Sequence, residues 1–339
     1  MRLVPPGIRT KLAAIVTPWV VGLSAFAVSL VLTPVAIVVA RRTGIMDRPG
    51  ELKDQARAVP YLGGAAVFAG VAVGVWGTRP TVLVPLFLAL ALGVADDRFS
   101  LAPSLRLLGE VGIGVAIVAT CPVHAPGWLA VLLLLPLTLL LINGVNFMDG
   151  LDMLAGGSVA VAAVGFAVIL AGPLTRSGHL TGVALAAALL GFLVFNRPPA
   201  RIYLGDGGSY LLGVALTALV AESWGPQVAR PIGVVALLLV ALPAGEVAFA
   251  IVRRLRGRRS VLAGDRGHPY DRMVDRGWSR PSASAAYIAA QGMLTVGAVL
   301  AYRQSSLALA VAVDVVGGVA LIIAAGLAGA LTPDQEVAP

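Results

Sequence analysis

The chain has 339 residues, 58% of them hydrophobic and only 12% charged, with a formal net charge of +8 and a mean hydropathy of +0.91. That composition excludes a soluble globular domain and defines an all-α polytopic membrane protein. The basic excess does not argue for nucleic acid, because positive-inside topology and attraction to anionic lipid account for it.

A bilayer core about 30 Å thick takes about 20 apolar residues per helix. Eleven segments fit, near residues 19–40, 61–77, 81–95, 104–120, 128–142, 157–172, 180–195, 208–222, 231–252, 283–302 and 306–331. Drawing the last two differently gives ten. The first run, Trp19 to Ala40, is 22 residues long with no clear small-residue cleavage site, which predicts a retained helix rather than a signal peptide. No soluble domain, linker or repeat interrupts the pattern. Residues 1–339 therefore read as one integral-membrane domain, with tails at 1–18 and 332–339 and a polar loop at 253–282. The lone Cys121 forms no intrachain disulfide.

With the N-terminus outside, the loops 41–60, 96–103, 143–156, 196–207 and 253–282 all fall inside. Together with Arg106 they hold eighteen of the 25 Lys and Arg, against four in the opposite loops. Asp47, Asp54, Asp96, Asp97, Asp149, Asp152, Asp206, Asp265, Asp271 and Asp275 gather on the same side. Acidic residues need not follow the basic ones. A polar site at one end of a helix bundle explains why they do.

Asp96 and Asp97 end the apolar run of the third span. There they face the negative pole of the helix and repel each other, so a cation must compensate them, and Arg98 supplies only part. Asn143, Asn146, Asp149 and Asp152 recur every three residues, which places them along one ridge of a helix or helix entry. Gly205, Asp206, Gly207, Gly208 and Ser209 open a span with free backbone N–H groups, an anion site in form. They match neither a dinucleotide fingerprint nor a P-loop. The Asn143 series reads as a diphosphate and metal site, its carboxylates binding Mg²⁺ and its amides hydrogen-bonding ligand oxygens; for both groups the plainer alternative is a set of helix caps. His268 is the one inner histidine and reads as exposed, serving phosphate binding, proton transfer or nothing at all. The basic run from Arg253 to Arg259 reads as a headgroup anchor. Glu246 and Asp314 lie inside spans and are either functional or satisfied by a neighbouring helix.

From Asp47 to Arg276 the ordered set resembles the polyprenyl-phosphate N-acetylhexosamine-1-phosphate transferases. It comprises Asp47-Arg48-Pro49 with Lys53, Pro60-Tyr61-Leu62-Gly63-Gly64, Asp96-Asp97-Arg98-Phe99-Ser100 through Leu107-Leu108-Gly109-Glu110, the Asn143 series, Arg201 to Ser209, and Asp265 to Arg272. The resemblance implies ten or eleven transmembrane helices in a bacterial plasma membrane and a site on the cytoplasmic face. It implies a Mg²⁺-dependent reaction, with Mn²⁺ as a substitute, between a UDP-amino sugar and a polyprenyl phosphate, and it allows a homodimer. On this likeness Asp96, Asp97 and Asp149 are catalytic, and Asp97 and Asp206 are metal ligands. Lys53, Asn143, Asn146, Asp152, Arg201, Gly205, Ser209, Asp265, Arg266 and His268 contact substrate. Direct attack by the lipid phosphate is favoured over a covalent intermediate.

The departures cluster. Relatives carry H-x-H-H where this chain has His268-Pro269-Tyr270-Asp271, histidine at the position of Gln55, and arginine at Leu52 and Tyr61. The longer histidine-rich signature of the lipid I-forming enzymes is also missing, which points to N-acetylglucosamine rather than a muramoyl-pentapeptide. Two rivals stand beside this reading. A binding paralogue would hold ligand without turnover, and a secondary transporter would place its site at mid-membrane between paired broken helices.

Overall fold

A computed structural model describes residues 6–47, 58–121, 123, 125–225, 228, 230–260 and 267–332. The elements are α1 (Pro6–Thr43), β1 (Met46–Asp47), β2 (Val59–Pro60), α2 (Gly63–Val75), α3 (Leu83–Phe99), α4 (Pro103–Thr120), α5 (Gly127–Met148), α6 (Leu154–Ile169), α7 (Arg176–Asn196), α8 (Gly205–Ser223), α9 (Arg230–Leu239), α10 (Ala241–Arg256), α11 (Pro269–Asp275), α12 (Arg280–Arg303) and α13 (Leu307–Leu327). Each of the eleven apolar segments is helical, and the ninth is broken into α9 and α10.

Among the described residues, six helices are long and apolar enough to cross a membrane alone, and the α9–α10 pair makes a seventh if its 60° bend is one span. The shortfall from eleven has a physical cause. Helices α2 and α6 are short, and α3 and α8 carry polar residues at their ends. Helix α8 is buried along nearly its whole length, packed by α3, α5 and α2. A helix clad in protein has no need to match the lipid thickness by itself. Helices α1, α12 and α13 lie toward the outside of this arrangement, with large apolar side chains exposed along their lengths, as suits lipid contact.

The α9–α10 bend follows from Pro243, which lacks the N–H that would bond the Leu239 carbonyl one turn earlier. Gln291 of α12 supplies the missing donor, its Nε2 lying 3.2 Å from that oxygen. Helix α10 then continues to Arg256, and α11 forms at residues 269–275. The expected loop at 253–282 is therefore partly helical. Arg253 and Arg254 are buried, Arg253 donating to the Ala330 carbonyl at 2.9 Å and Arg254 lying over the Phe147 ring. These two residues are thus packed inside the protein and are not headgroup anchors. Burial of their stems against α5 and the end of α13 outweighed a surface position.

The two ends of the bundle are distinct. At one, Arg79 pairs with Glu222 and also donates to the Thr120 carbonyl, while Ser177 bonds Glu222. At the other, β1 and β2 pair antiparallel, with Met46 opposite Pro60. Tyr203 donates to the Pro60 carbonyl, Gly63 to that of Tyr203 and Gly64 to that of Leu204, all at 2.8–3.1 Å. The small strand pair thereby joins the segment before α2 to the segment before α8.

Helices α3 and α8 touch backbone to backbone. A Cβ on Gly93 would lie 2.3 Å from the Asp206 carbonyl carbon and oxygen. Gly93→Ala should therefore force the helices apart and cost about 1–3 kcal/mol, the scale of overpacking. Thermal unfolding in detergent measures it, and an unchanged midpoint would count against the close packing.

Candidate active site

A cavity of about 1590 Å³ opens among the α1 end, β2, the α3 end, the α5–α6 turn, the segment before α8 and the start of α12. Its wall includes Asp47, Asp97, Asn146, Asp149, Asp152, Arg201, Gly205 and Asp206. Seven of the residues expected from sequence at the site thus meet here from three chain segments: Asp97; Asn146, Asp149 and Asp152; and Arg201, Gly205 and Asp206.

The joint between α3 and α8 organises this wall. Asp97 accepts from the backbone N–H groups of Asp206 and Gly207, at 3.1 and 3.3 Å, through its two oxygens. The first turn of α8 has free amides and a positive pole, so a carboxylate belongs there. Gly205 has φ +71, and a side chain on it would collide with the Tyr61 carbonyl and the Asp97 carboxylate; only glycine fits this conformation and this space. From α5, Asn146 donates to Asp206 at 2.7 Å and to Ser209 at 3.1 Å. From the α5–α6 turn, Asp152 accepts the Ala200 N–H at 2.9 Å. Asn196 receives the Met153 N–H and donates to the Ile202 carbonyl, tying that turn to the end of α7.

Electrostatics follow from this crowding. Asp149 keeps some surface on the cavity, but burial pushes its carboxyl well above the ordinary range, reinforced by the charges of Asp206, Asp97 and Asp152. Burial also raises Asp152, opposed by the Ala200 N–H and by Arg280. Tyr203 is pushed up to about 12 by burial and then by nearby carboxylates. Tyr61, which donates to Asp47 at 2.8 Å, is raised by burial and that bond. Against this negative wall, Arg41 and Arg201 are exposed on the cavity.

Other expected site residues lie elsewhere. Asp96 is buried and absent from the cavity wall, bonded to Tyr210 and to the Leu101 N–H. Asn143 donates to Glu110 at 2.8 Å, and Ser209 is buried behind Asn146. The expectation of an exposed His268 is corrected: it is 5% exposed, bonded to Glu246 at 2.8 Å and stacked on Tyr270. Glu246 also accepts from Tyr287, so this intramembrane acid is satisfied by its neighbours. Tyr270 in turn donates to the Phe147 carbonyl at 2.9 Å and supports the α5 end from behind. Lys53, Asp265 and Arg266 fall outside the described residues. Sequence reading missed Arg41, Asn196 and Arg280 on the wall. Their signal was weak, since each is a single polar residue at the edge of an apolar segment.

The fold and this wall define a polytopic membrane protein with a carboxylate-rich cavity at one end of its helix bundle. Residues 80–223 match the profile of glycosyl transferase family 4. The chain is 31% identical over 274 residues to the probable undecaprenyl-phosphate N-acetylglucosaminyl 1-phosphate transferase of Bacillus subtilis, covering 74% of this chain and 75% of that protein. It is 32% identical over 328 residues to the decaprenyl-phosphate N-acetylglucosaminephosphotransferase of Mycolicibacterium smegmatis, covering 82% and 80%. With the undecaprenyl-phosphate alpha-N-acetylglucosaminyl 1-phosphate transferase of Escherichia coli K12 the identity is 26% over 286 residues, covering 76% and 78%. The chain belongs to glycosyl transferase family 4, a family of membrane-embedded transferases.

Asp149 generates a prediction with a definite sign. Its raised affinity for a proton stabilises the fold at low pH, and that contribution is lost as pH rises from the ordinary carboxylate value toward the raised one. With chelator present, the melting temperature should fall over that window in the wild type. Asp149→Asn should flatten the fall and melt higher at neutral pH. Differential scanning fluorimetry across pH decides it, and a parallel fall in both proteins would refute the assignment.

Proposed function

We propose that this chain transfers N-acetylglucosamine 1-phosphate from UDP-N-acetylglucosamine to a polyprenyl phosphate, the first step of a cell-envelope glycan. An oxygen of the lipid phosphate attacks the sugar-bearing phosphorus, and the bond from that phosphorus to the oxygen of UMP breaks. The products are polyprenyl-diphospho-N-acetylglucosamine and UMP. One observation carries this reading: Asp97, Asn146, Asp149, Asp152, Asp206 and Arg201 share the wall of one cavity, although 104 positions separate Asp97 from Arg201 in the chain. The names of the relatives support the same transferred group and acceptor class.

The wall suits a divalent cation. Among the described residues no three acidic, histidine or cysteine side chains are grouped to hold a metal by themselves. Mg²⁺ does not require such a cage, since it commonly takes one or two carboxylates and completes its shell with water and substrate phosphate. Asp97 and Asp206 are the two carboxylates, with Mn²⁺ as an alternative ion. Asp149 is raised first by burial and then by the neighbouring charges of Asp206, Asp97 and Asp152, and a cation would relieve that second contribution. When bound, Mg²⁺ would neutralise the diphosphate and stabilise the leaving UMP.

The chain's own groups do the rest. Asn146 orients Asp206 through its hydrogen bond. Arg41 and Arg201 offer guanidinium groups to phosphate oxygens, a geometry suited to paired hydrogen bonds. The raised proton affinity of Asp149 suits it to take a proton from the lipid phosphate. Lys53, Asp265 and Arg266 complete the donor site, and His268 acts by packing under the α5 end. The eleven apolar segments, or ten if the last two are drawn differently, cross the plasma membrane with the N-terminus outside and the cavity facing the cytoplasm, the orientation that the distribution of Lys and Arg favours. The broken α9–α10 span is unpaired among the described residues and the cavity carboxylates lie at one end of the bundle, which weighs against a transporter.

Purified protein with Mg²⁺, a polyprenyl phosphate and UDP-N-acetylglucosamine should release UMP, and omission of lipid or addition of chelator should stop it. Asp97→Asn and Asp206→Asn should each lower the rate by at least about 10²- to 10³-fold, the scale for losing a preorganised electrostatic group. Absence of UMP with any UDP-amino sugar would favour a binding paralogue, and solute uptake by proteoliposomes a transporter.

A further inference from the structure

The paired aspartates at the end of α3 point to different surroundings. Successive helix residues are about 100° apart around the axis, so Asp97 meets the cavity while Asp96 turns into the protein. Asp96 is 8% exposed. One of its oxygens accepts from the Tyr210 hydroxyl at 2.7 Å and lies 3.7 Å from the Arg106 guanidinium; the other accepts the Leu101 N–H at 2.9 Å. Arg106 also approaches Glu110 at 3.7 Å, and Glu110 accepts from Asn143 at 2.8 Å. The network therefore joins α3, α4, α5 and α8 behind the cavity wall.

Tyr210 stands four residues after Asp206, one turn along the same face of α8. Asp97 holds the first amides of that helix, and Asp96 holds its next turn through the tyrosine hydroxyl. Two adjacent carboxylates of α3 thus fix both the axial position and the rotation of the helix that carries Asp206. A base or ligand that touches substrate needs an accessible oxygen within about 2.6–3.2 Å of its target. Asp97 is also bonded through both oxygens but opens on the cavity, whereas both oxygens of Asp96 are engaged by the protein and the residue is absent from the cavity wall.

Resting on the transferase reading above, we propose that Tyr210 is a positioning residue acting through Asp96, and that Asp96 sets the placement of Asp206 without touching substrate. The two members of the aspartate pair divide the work, Asp97 at the reacting phosphates and Asp96 in the frame.

Steady-state kinetics of Tyr210→Phe, Asp96→Asn and the double variant test this, beside apparent melting temperatures of the same proteins in detergent. Both single changes preserve side-chain shape. Each single variant should lower kcat by about 10- to 100-fold, the scale of a misplacement near 1 Å, with KM for UDP-N-acetylglucosamine and for the lipid within about twofold of wild type. The double variant should be no slower than the slower single one, since the two groups act as one unit. Loss beyond about 10³-fold in Asp96→Asn together with wild-type turnover in Tyr210→Phe would overturn the proposal and place Asp96 at the reacting atoms. Independent, multiplying effects of the two changes would overturn it as well. If the wild type releases no UMP, the transferase reading fails by itself. The melting temperatures then decide the inference: non-additive shifts in the double variant uphold the Asp96–Tyr210 link, and additive shifts refute it.

Discussion

A carboxylate pair at the C-terminal end of a helix is electrostatically unfavourable, and this protein tolerates it by bringing the N-terminal end of another helix against it. Asp97 accepts the first free amides of α8, and Asp96 takes the Tyr210 hydroxyl and the approach of Arg106. Part of the compensation expected from a cation is supplied by oriented backbone, which carries roughly half a unit of positive charge at a helix start. Gly93 and Gly205 make the approach sterically feasible. The rest of the cavity is assembled around this joint, because Asn146, Tyr61 and the segment before α8 are all placed by reference to it.

The same joint explains why the interior helices are short and polar-ended. A helix that ends in carboxylates or begins in glycine and aspartate is a poor solitary span, yet it serves well inside a sheath of longer apolar helices. Helix α8 is the extreme case, buried along nearly its whole length and packed by α3, α5 and α2. Site and fold are therefore built from the same elements: the helices least able to face lipid carry the groups that need water and phosphate.

Much of this was legible in the sequence because it is periodic or one-sided. Apolar runs of the right length located every helix that crosses the bundle, and the gathering of Asp, Lys and Arg in alternate loops foretold one polar end. The motifs at Asp96-Asp97, Asn146 to Asp152 and Gly205 to Ser209 did meet. What the sequence concealed depends on rotation and on long-range partners. Asp96 and Asp97 are neighbours in the chain, and nothing local says that one enters the cavity while the other turns away. His268 looked solvated because its partner Glu246 lies 22 residues earlier, in another helix, where it also accepts from Tyr287. Helix α11 and the β1–β2 pair were invisible because each is too short to show a period. Arg253 and Arg254 read as surface residues because their partners, the Ala330 carbonyl and the Phe147 ring, lie 77 residues downstream and 107 residues upstream, respectively.

That last contact bears on how the chain can vary. Arg253 and Arg256 grip the carbonyl oxygens of residues 330 and 331, groups that every amino acid possesses. Substitution at either downstream site leaves the acceptor in place, whereas cutting the chain before them strips a partner from a guanidinium deep in the protein. The grip depends on residues 330 and 331 being present rather than on their side chains, although Ala330 is itself enclosed with Phe249 and Ala325, so small apolar replacements suit that position while loss of the terminus removes both acceptors.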